Sequence, residues 1–259
     1  VLALIAGQGR LPELVAETTA PMIVALDGLP PGNLTPDRTF RLERLGTLLA
    51  DLKADGVTQV CFAGSIRRPP LDPAALDAAT APLVPRIMQA LGKGDDGALR
   101  IVLDVFSEAG FAIRAAHELR PDLLPPEGVL TKTKPGAATE ANLARARAAH
   151  ASLAAADVGQ AVAVARGQVI ALETAYGTDW MLEALAARPD AGGLLWKAPK
   201  AGQDRRIDLP TIGPDTVRRA AQAGLEGIAL EKDGVMILDR DATVAEADAR
   251  GLFLLVTAP

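Results

Sequence analysis

The sequence is poor in the residues that usually announce chemistry. It has one cysteine, Cys61, so neither a disulfide framework nor a cysteine-based zinc site can form within one chain. Cys61 sits in the apolar run Val60-Cys61-Phe62-Ala63 and reads as a small core residue. The two histidines, His117 and His150, stand far apart, which excludes a multi-histidine metal centre. Aromatic residues make up only 3%, so the core must be built from Ala, Leu, Val and Ile. No apolar run approaches the roughly 18 residues needed to span a bilayer. The opening Val1–Ala6 is too short for a signal peptide's apolar segment and has no basic lead or cleavage site. The chain opens on Val1 rather than Met, so a few preceding residues are expected. A Walker A motif is missing, because Gly92-Lys93 runs into Gly94, and so is a G-x-S-x-G elbow.

What is present describes an ordinary folded protein. The 259 residues allow one large domain or two small ones, and 49% hydrophobic content supplies a core. A charged share of 23% excludes disorder. The net charge of −5, from 27 basic and 32 acidic residues, argues against a surface designed for nucleic acid. A soluble, acidic, cytoplasmic protein is expected.

Strand-like and helical runs alternate in the first half. Val1–Ala6, Met22–Leu26, Gln59–Ala63 and Phe111–His117 read as strands. Leu11–Thr18, Arg41–Ala54, Pro73–Leu91 and Ala98–Glu108 read as helices. Such alternation indicates βαβ units and a parallel sheet. Pro121–Gly128 holds three prolines in eight residues and is the best linker candidate. Beyond it, helices are expected at Thr139–Ala156, Asp179–Ala187, Asp215–Ala223 and Val244–Arg250, with strands at Gly193–Lys197 and Leu252–Val256. Hairpins are expected around Arg166-Gly167 and around Lys232-Asp233-Gly234. The reading is α/β in two domains: an N-terminal Rossmann-like parallel sheet over residues 1–124 and a C-terminal mixed sheet over 125–259 that carries most of the catalytic residues.

Two stretches stand out chemically. Gly7-Gln8-Gly9-Arg10-Leu11-Pro12 joins a strand to a helix, where glycines let backbone N–H groups approach a phosphate. Asp27 follows 20 residues after Gly7, where a dinucleotide fold places its ribose-binding carboxylate. Pro12 replaces the third glycine of G-x-G-x-x-G, and a tight turn alone would explain both glycines. The densest polar stretch runs from Lys197 through Lys200, Gln203, Asp204, Arg205, Arg206 and Asp208 to Pro210. It follows a strand that reads as buried, as ligand loops in α/β proteins do. Its cations suit phosphates, and Asp204 and Asp208 suit a hard divalent cation. A solvated charged loop is the plain alternative. Glu173 with Tyr176-Gly177-Thr178-Asp179 forms a further polar group, in which Thr178 or Asp179 would serve as a helix N-cap.

Several stretches in this order resemble one family. They are Ile5–Pro12, Phe62-Ala63-Gly64 with Arg68-Pro69, Lys93-Gly94-Asp95-Asp96 and Ala116–Leu119. Further on come Asp157–Val162, Glu173 with Gly177-Thr178-Asp179, and Lys200 through Gly213. Together they are similar to the UDP-2,3-diacylglucosamine pyrophosphatases of lipid A biosynthesis, of the type unrelated to calcineurin-like metallophosphatases. Three positions depart from the family's pattern: Ser65 in place of lysine, Tyr176 in place of glutamate and Ala201 in place of proline.

The resemblance implies a hydrolase that cleaves a UDP-sugar carrying two acyl chains, with Mg²⁺ or Mn²⁺, into UMP and 2,3-diacylglucosamine 1-phosphate. It implies attack at the β-phosphorus, and peripheral contact with the inner membrane, with a homodimer as a further possibility. Asp204 and Asp208 would hold the metal, with Asp179 or Glu173 completing the catalytic carboxylates. Lys197, Lys200 and Arg206 would neutralise the pyrophosphate. The Gly7, Gly9, Arg10 and Leu11 turn would hold part of the nucleotide half, and Gly64, Asp95, Lys132, Gly177, Thr178 and Gln203 complete the substrate-binding set. Two readings from other classes compete: a nicotinamide-dependent oxidoreductase using Gly7, Gly9 and Asp27, and a non-catalytic nucleotide-sugar or lipid-binding module.

Overall fold

The computed structural model describes residues 1–66, 71–92, 95–153, 156, 158–207 and 209–259, with Asp95 and Asp96 entering only as helix positions. The chain divides into two compact units. One holds residues 1–121 together with Arg206 and Ile207; the other holds 122–205 and 209–259.

The first unit opens with β1 (Leu2–Ala6), α1 (Arg10–Thr19) and β2 (Met22–Leu26), followed by β3 (Arg38–Phe40), α2 (Leu45–Ala54) and β4 (Gln59–Ala63). It continues through α3 (Val84–Leu91), α4 (Asp95–Glu108), β5 (Ala112–Arg114) and the short α5 (Ala116–Leu119). All strand pairs are parallel, in the order β3-β2-β1-β4-β5. A parallel strand is covered on both faces, which is why β1, β2 and β4 are apolar almost throughout and buried over their last four residues. Helix α2 buries Leu45, Leu48, Leu49 and Leu52, one face at spacings of three and four. The core gathers these leucines around Phe62, Phe106 and Phe111, with Phe62 and Phe106 edge to face at 5.1 Å. Ile207 packs against the same core.

Two sequence expectations change here. Pro73–Leu91 is not one helix: single turns at Pro73–Ala75 and Ala81–Leu83 precede α3. Each of the three begins with a proline in its first two positions, where the missing N–H costs nothing, and a proline there ends whatever helix came before. Phe111–His117 is a strand only over Ala112–Arg114; Glu118 then accepts the N–H of Ala115 and starts α5, so His117 is helical.

The second unit comprises β6 (Gly128–Val129), α6 (Thr139–Leu153), β7 (Ala161–Ala165), β8 (Gln168–Leu172), α7 (Gly177–Leu185) and β9 (Leu194–Lys197). These are followed by β10 (Thr211–Ile212), α8 (Pro214–Gln222), β11 (Gly227–Glu231), β12 (Met236–Ile237), α9 (Arg240–Ala249) and β13 (Phe253–Thr257). Its main sheet runs β6-β13-β11-β9-β7-β8, parallel among β13, β11 and β9 and antiparallel elsewhere. The expected hairpin at Arg166-Gly167 is present as β7–β8. The one expected at Lys232-Asp233-Gly234 is not: β11 already has β9 and β13 as parallel neighbours, and β12 pairs with β10 instead.

Side-chain alternation divides the core of this unit between the two faces of its sheet. Leu195, Ile228, Leu230 and Leu254 join Met181 and Leu182 of α7 and Val217 of α8. Leu194, Trp196, Ala229 and Phe253 join Leu143 and Ala146 of α6. The two strand-ending charges follow the same rule. Lys197 falls on the α7 face and Glu231 on the α6 face, both at the carboxyl edge of the sheet. Among the described residues no helix is long and apolar enough to cross a membrane.

Candidate active site

In the first unit the candidate site is made of main chain. In the strand order β3-β2-β1-β4-β5 the topology reverses between β1 and β4, and ligands of such sheets bind outside the strand ends at that point. Gly7 follows β1 and Gly64 follows β4, and the loops they begin are joined by reciprocal bonds between Gln8 and Ser65 at 2.8 and 2.9 Å. A Cβ on Gly7 would lie 2.5 Å from the Ser65 carbonyl oxygen, and one on Gly64 would lie 2.6 Å from that of Gln8. Both glycines are therefore required by the close approach of two backbones. Gly9 differs: it has φ +101° and open space around it, immediately before the first turn of α1. Arg10 ion-pairs with Glu13 at 2.8 Å and Glu17 at 2.9 Å on its own helix, and Leu11 is half-buried there.

In the second unit the site is made of side chains, two of them buried and one half-buried. Lys197, 7% exposed, donates to the Thr178 hydroxyl at 2.8 Å and to the Thr211 carbonyl at 3.0 Å. Thr178, itself buried, donates to Glu173 Oε2 at 2.5 Å. Glu173 is held from behind by Gly159, where a Cβ would come within 2.2 Å of the Glu173 carbonyl oxygen. Glu173, Thr178 and Lys197 thus meet because β8 ends, α7 starts and β9 ends at one edge. Helix α7 begins at Gly177, φ +84°, so Thr178 and Asp179 lie inside its first turn and neither is its N-cap.

The loop after β9 is folded on itself. Buried Gln203 accepts the Lys200 N–H at 2.9 Å, and Arg205 binds Glu231 at 2.9 Å and the Asp233 carbonyl at 3.1 Å. Asp204, between them, is half-buried, while Arg206 is exposed. Glu231 and His150 went unnoticed as sequence candidates. Glu231 had a signal, a charge ending the buried run Gly227-Ile228-Ala229-Leu230 as Lys197 ends Leu194-Leu195-Trp196. His150 had none. Burial pushes its pKa below the ordinary 6.5, against the pull of Glu231 and a hydrogen bond to the Ala198 backbone.

Other sequence candidates lie apart from this cluster. Asp179 is exposed on α7 and ion-pairs with Arg219 at 3.6 Å. Tyr176 stacks on Trp180 at 5.1 Å, both rings exposed. The Lys132 N–H donates to Asp248 at 2.7 Å, beside α9. Asp95 begins α4. Asp208, Arg68-Pro69, Lys93-Gly94, Asp157 and the side chains of Asp95 and Asp96 lie outside the described residues.

The comparisons with known proteins cover the chain from end to end. The family "LpxI N-terminal domain" matches residues 1–123, and "LpxI C-terminal domain" matches residues 126–255. The chain is 37% identical over 273 residues to the UDP-2,3-diacylglucosamine pyrophosphatase LpxI of Caulobacter vibrioides, covering 100% of this chain and 98% of that protein.

Proposed function

The chain belongs to the LpxI family, and from that premise we propose that it hydrolyses the pyrophosphate of UDP-2,3-diacylglucosamine in lipid A synthesis. Water adds to one phosphorus and the bridging oxygen departs, giving UMP and 2,3-diacylglucosamine 1-phosphate. The observation that supports this reading most strongly is the hydrogen-bonded Lys197–Thr178–Glu173 cluster at a sheet's carboxyl edge, in a chain matched along its whole length by one family.

Pyrophosphate cleavage is mostly positioning and charge stabilisation, so it needs fixed cations more than a covalent nucleophile. Lys197 supplies a fixed one, and Lys200 and Arg206 bring further positive charge to the loop that follows. The main-chain turn of Gly7 and Gly9 would hold part of the nucleotide half. Metal chemistry fits the donors on one condition. Among the described residues no group of three or more His, Cys, Asp or Glu is gathered to hold an ion. An ion that accepts one or two carboxylates and completes its shell with water and phosphate oxygens, as Mg²⁺ does, suits these donors. Asp204 and Asp208 are the residues that would hold it, and bound there it would neutralise charge on the pyrophosphate. Contact with the membrane is peripheral in this reading.

The test is UMP release by Asp204→Asn and Asp208→Asn, with each variant's fold checked by circular dichroism. Each substitution is expected to lower turnover by roughly 100-fold or more, the scale of a lost electrostatic contact to a transition state. Wild-type turnover in both variants defeats the assignment.

A further inference from the structure

Lys232-Asp233-Gly234 has the composition of a hairpin turn, yet it leads from β11 to β12, a strand of a different sheet. What this turn touches is the loop that follows β9. At the start of the loop, a Cβ on Gly234 would stand 2.8 Å from Pro199 Cδ and 2.9 Å from Glu231 Oε1. Gly234 has no left-handed φ, so close packing against the loop is what excludes a side chain there. Farther along, Arg205 spans the same turn. Its Nη2 donates to Glu231 Oε1 at 2.9 Å and its Nη1 to the Asp233 carbonyl at 3.1 Å. Glu231 is a firm support, buried at the end of β11 with a parallel strand on each side. Gln203 and Lys200 are joined twice: Gln203 Oε1 accepts the Lys200 N–H at 2.9 Å, and the Gln203 N–H donates to the Lys200 carbonyl at 3.1 Å. Asp204 thus stands between two anchored residues, each about 3.8 Å away along the chain.

We infer that the turn 231–234 is a positioning element that seats the loop after β9, through Gly234 and Arg205, and so holds the Asp204 carboxylate where a divalent cation is taken up. This rests on the assignment of Asp204 to a metal ion in the pyrophosphatase reading and deepens it. Arg205 and Glu231 act through Asp204 and are positioning residues. A guanidinium suits the task, because a rigid fork reaching two acceptors of one turn fixes orientation as well as distance. Glu231 also offsets the charge of Arg205, so the tether adds no net positive charge beside a carboxylate that receives a cation.

The experiment titrates the full chain with Mn²⁺, read by electron paramagnetic resonance, in wild type, Arg205→Met, Gly234→Ala, Lys232→Ala, Asp204→Asn and the Asp204→Asn/Arg205→Met pair. Arg205→Met is expected to weaken Mn²⁺ binding about tenfold or more, the scale of a lost charge-assisted hydrogen bond. Gly234→Ala should weaken it in the same direction, by displacing Pro199 and Glu231. Lys232 lies on the same turn but pairs with Glu127 at 3.0 Å, and its alanine variant should stay within about twofold of wild type. Adding Arg205→Met to Asp204→Asn should change affinity by no more than about twofold, because a residue acting only through Asp204 has nothing left to place.

Wild-type affinity in Arg205→Met, Gly234→Ala or Asp204→Asn overturns the inference. So do multiplied losses in the double variant, a Lys232→Ala variant as weak as Arg205→Met, or a wild-type protein that takes up no Mn²⁺. UMP release by the same proteins tests the reading beneath it separately. If the affinities follow the expected order and wild type releases no UMP, the pyrophosphatase reading fails and the seating of Asp204 stands.

Discussion

The two units carry their candidate chemistry in different parts of the polypeptide. In the first it is main chain: Gly7 and Gly64 matter for what they lack, a Cβ, where two loops touch at a sheet's topological switch, and Gly9 for its φ of +101°. In the second it is side chains at a strand edge, buried Lys197 through buried Thr178 to half-buried Glu173. The aromatic residues divide as well: both tryptophans and the single tyrosine lie in the second unit, and four of the five phenylalanines in the first. Intrinsic fluorescence, which comes from Trp180 and Trp196, therefore reports on the second unit, while far-ultraviolet circular dichroism reports on both.

That division gives a way to separate the units, and Gly64→Ala should do so most strongly. Gly64 has φ +86°, and an added Cβ would meet the Gln8 oxygen at 2.6 Å and Pro12 Cγ at 2.7 Å. Backbone strain and overpacking together should cost roughly 3 kcal/mol or more. In urea, the dichroism transition should move to lower denaturant while the fluorescence transition stays in place. Equal shifts in both signals would show that the units unfold together.

Glu43 sharpens the contrast with a smaller effect. It is buried in the first unit, bonded to Arg41 at 3.1 and 3.3 Å and to the Asp72 N–H at 2.7 Å. The Arg41 hydrogen bonds, outweighing burial, hold its carboxyl at about 2, against an ordinary 4.5. Its folded pKa lies below its unfolded one, so its contribution is complete above about 4.5 and is lost as pH falls toward 2. Glu43→Gln should cost about 2 kcal/mol at pH 7, as expected for removing one partner of a buried pair whose other member is half in water. The gap between the wild-type and variant dichroism midpoints should narrow steadily as pH falls from about 4.5 toward 2, and a constant gap across that range would refute the pairing.

The smallest effect is expected at Cys61, which burial pushes up to about 12. A thiol-specific reagent at pH 8 should leave the native protein unlabelled and modify it only as the first unit opens, at a rate that Gly64→Ala raises. Rapid native labelling would place Cys61 outside the core.

The difference between units also explains what the sequence revealed. The first unit's plan could be read because parallel strands buried on both faces are continuous apolar runs, and because glycines at strand ends mark close backbone approach whatever their ligand. The second unit's mixed sheet and its β7–β8 hairpin were also legible. Lys232-Asp233-Gly234 misled because turn residues look the same whether the chain doubles back or crosses to another strand. What decides is whether β11 has a free edge, and it has none. The Lys197, Thr178 and Glu173 residue types were legible as polar exceptions beside apolar runs, but their bonding was not, since it depends on β8 and β9 ending where α7 begins. His150 stayed hidden because its surroundings come from β9 and β11, well beyond its own helix.

The position of β13 has a consequence for how the protein is made. Phe253–Thr257 follows every other strand of its sheet in the chain, yet lies inside that sheet, between β6 and β11. A ribosome that has just delivered Glu231 has released a sheet with one interior place unfilled, and β6 waits without a partner. Residues 1–121, by contrast, already include all five strands of the first sheet. Synthesis from the N-terminus thus lets one sheet complete its pairing while the other still lacks a middle strand.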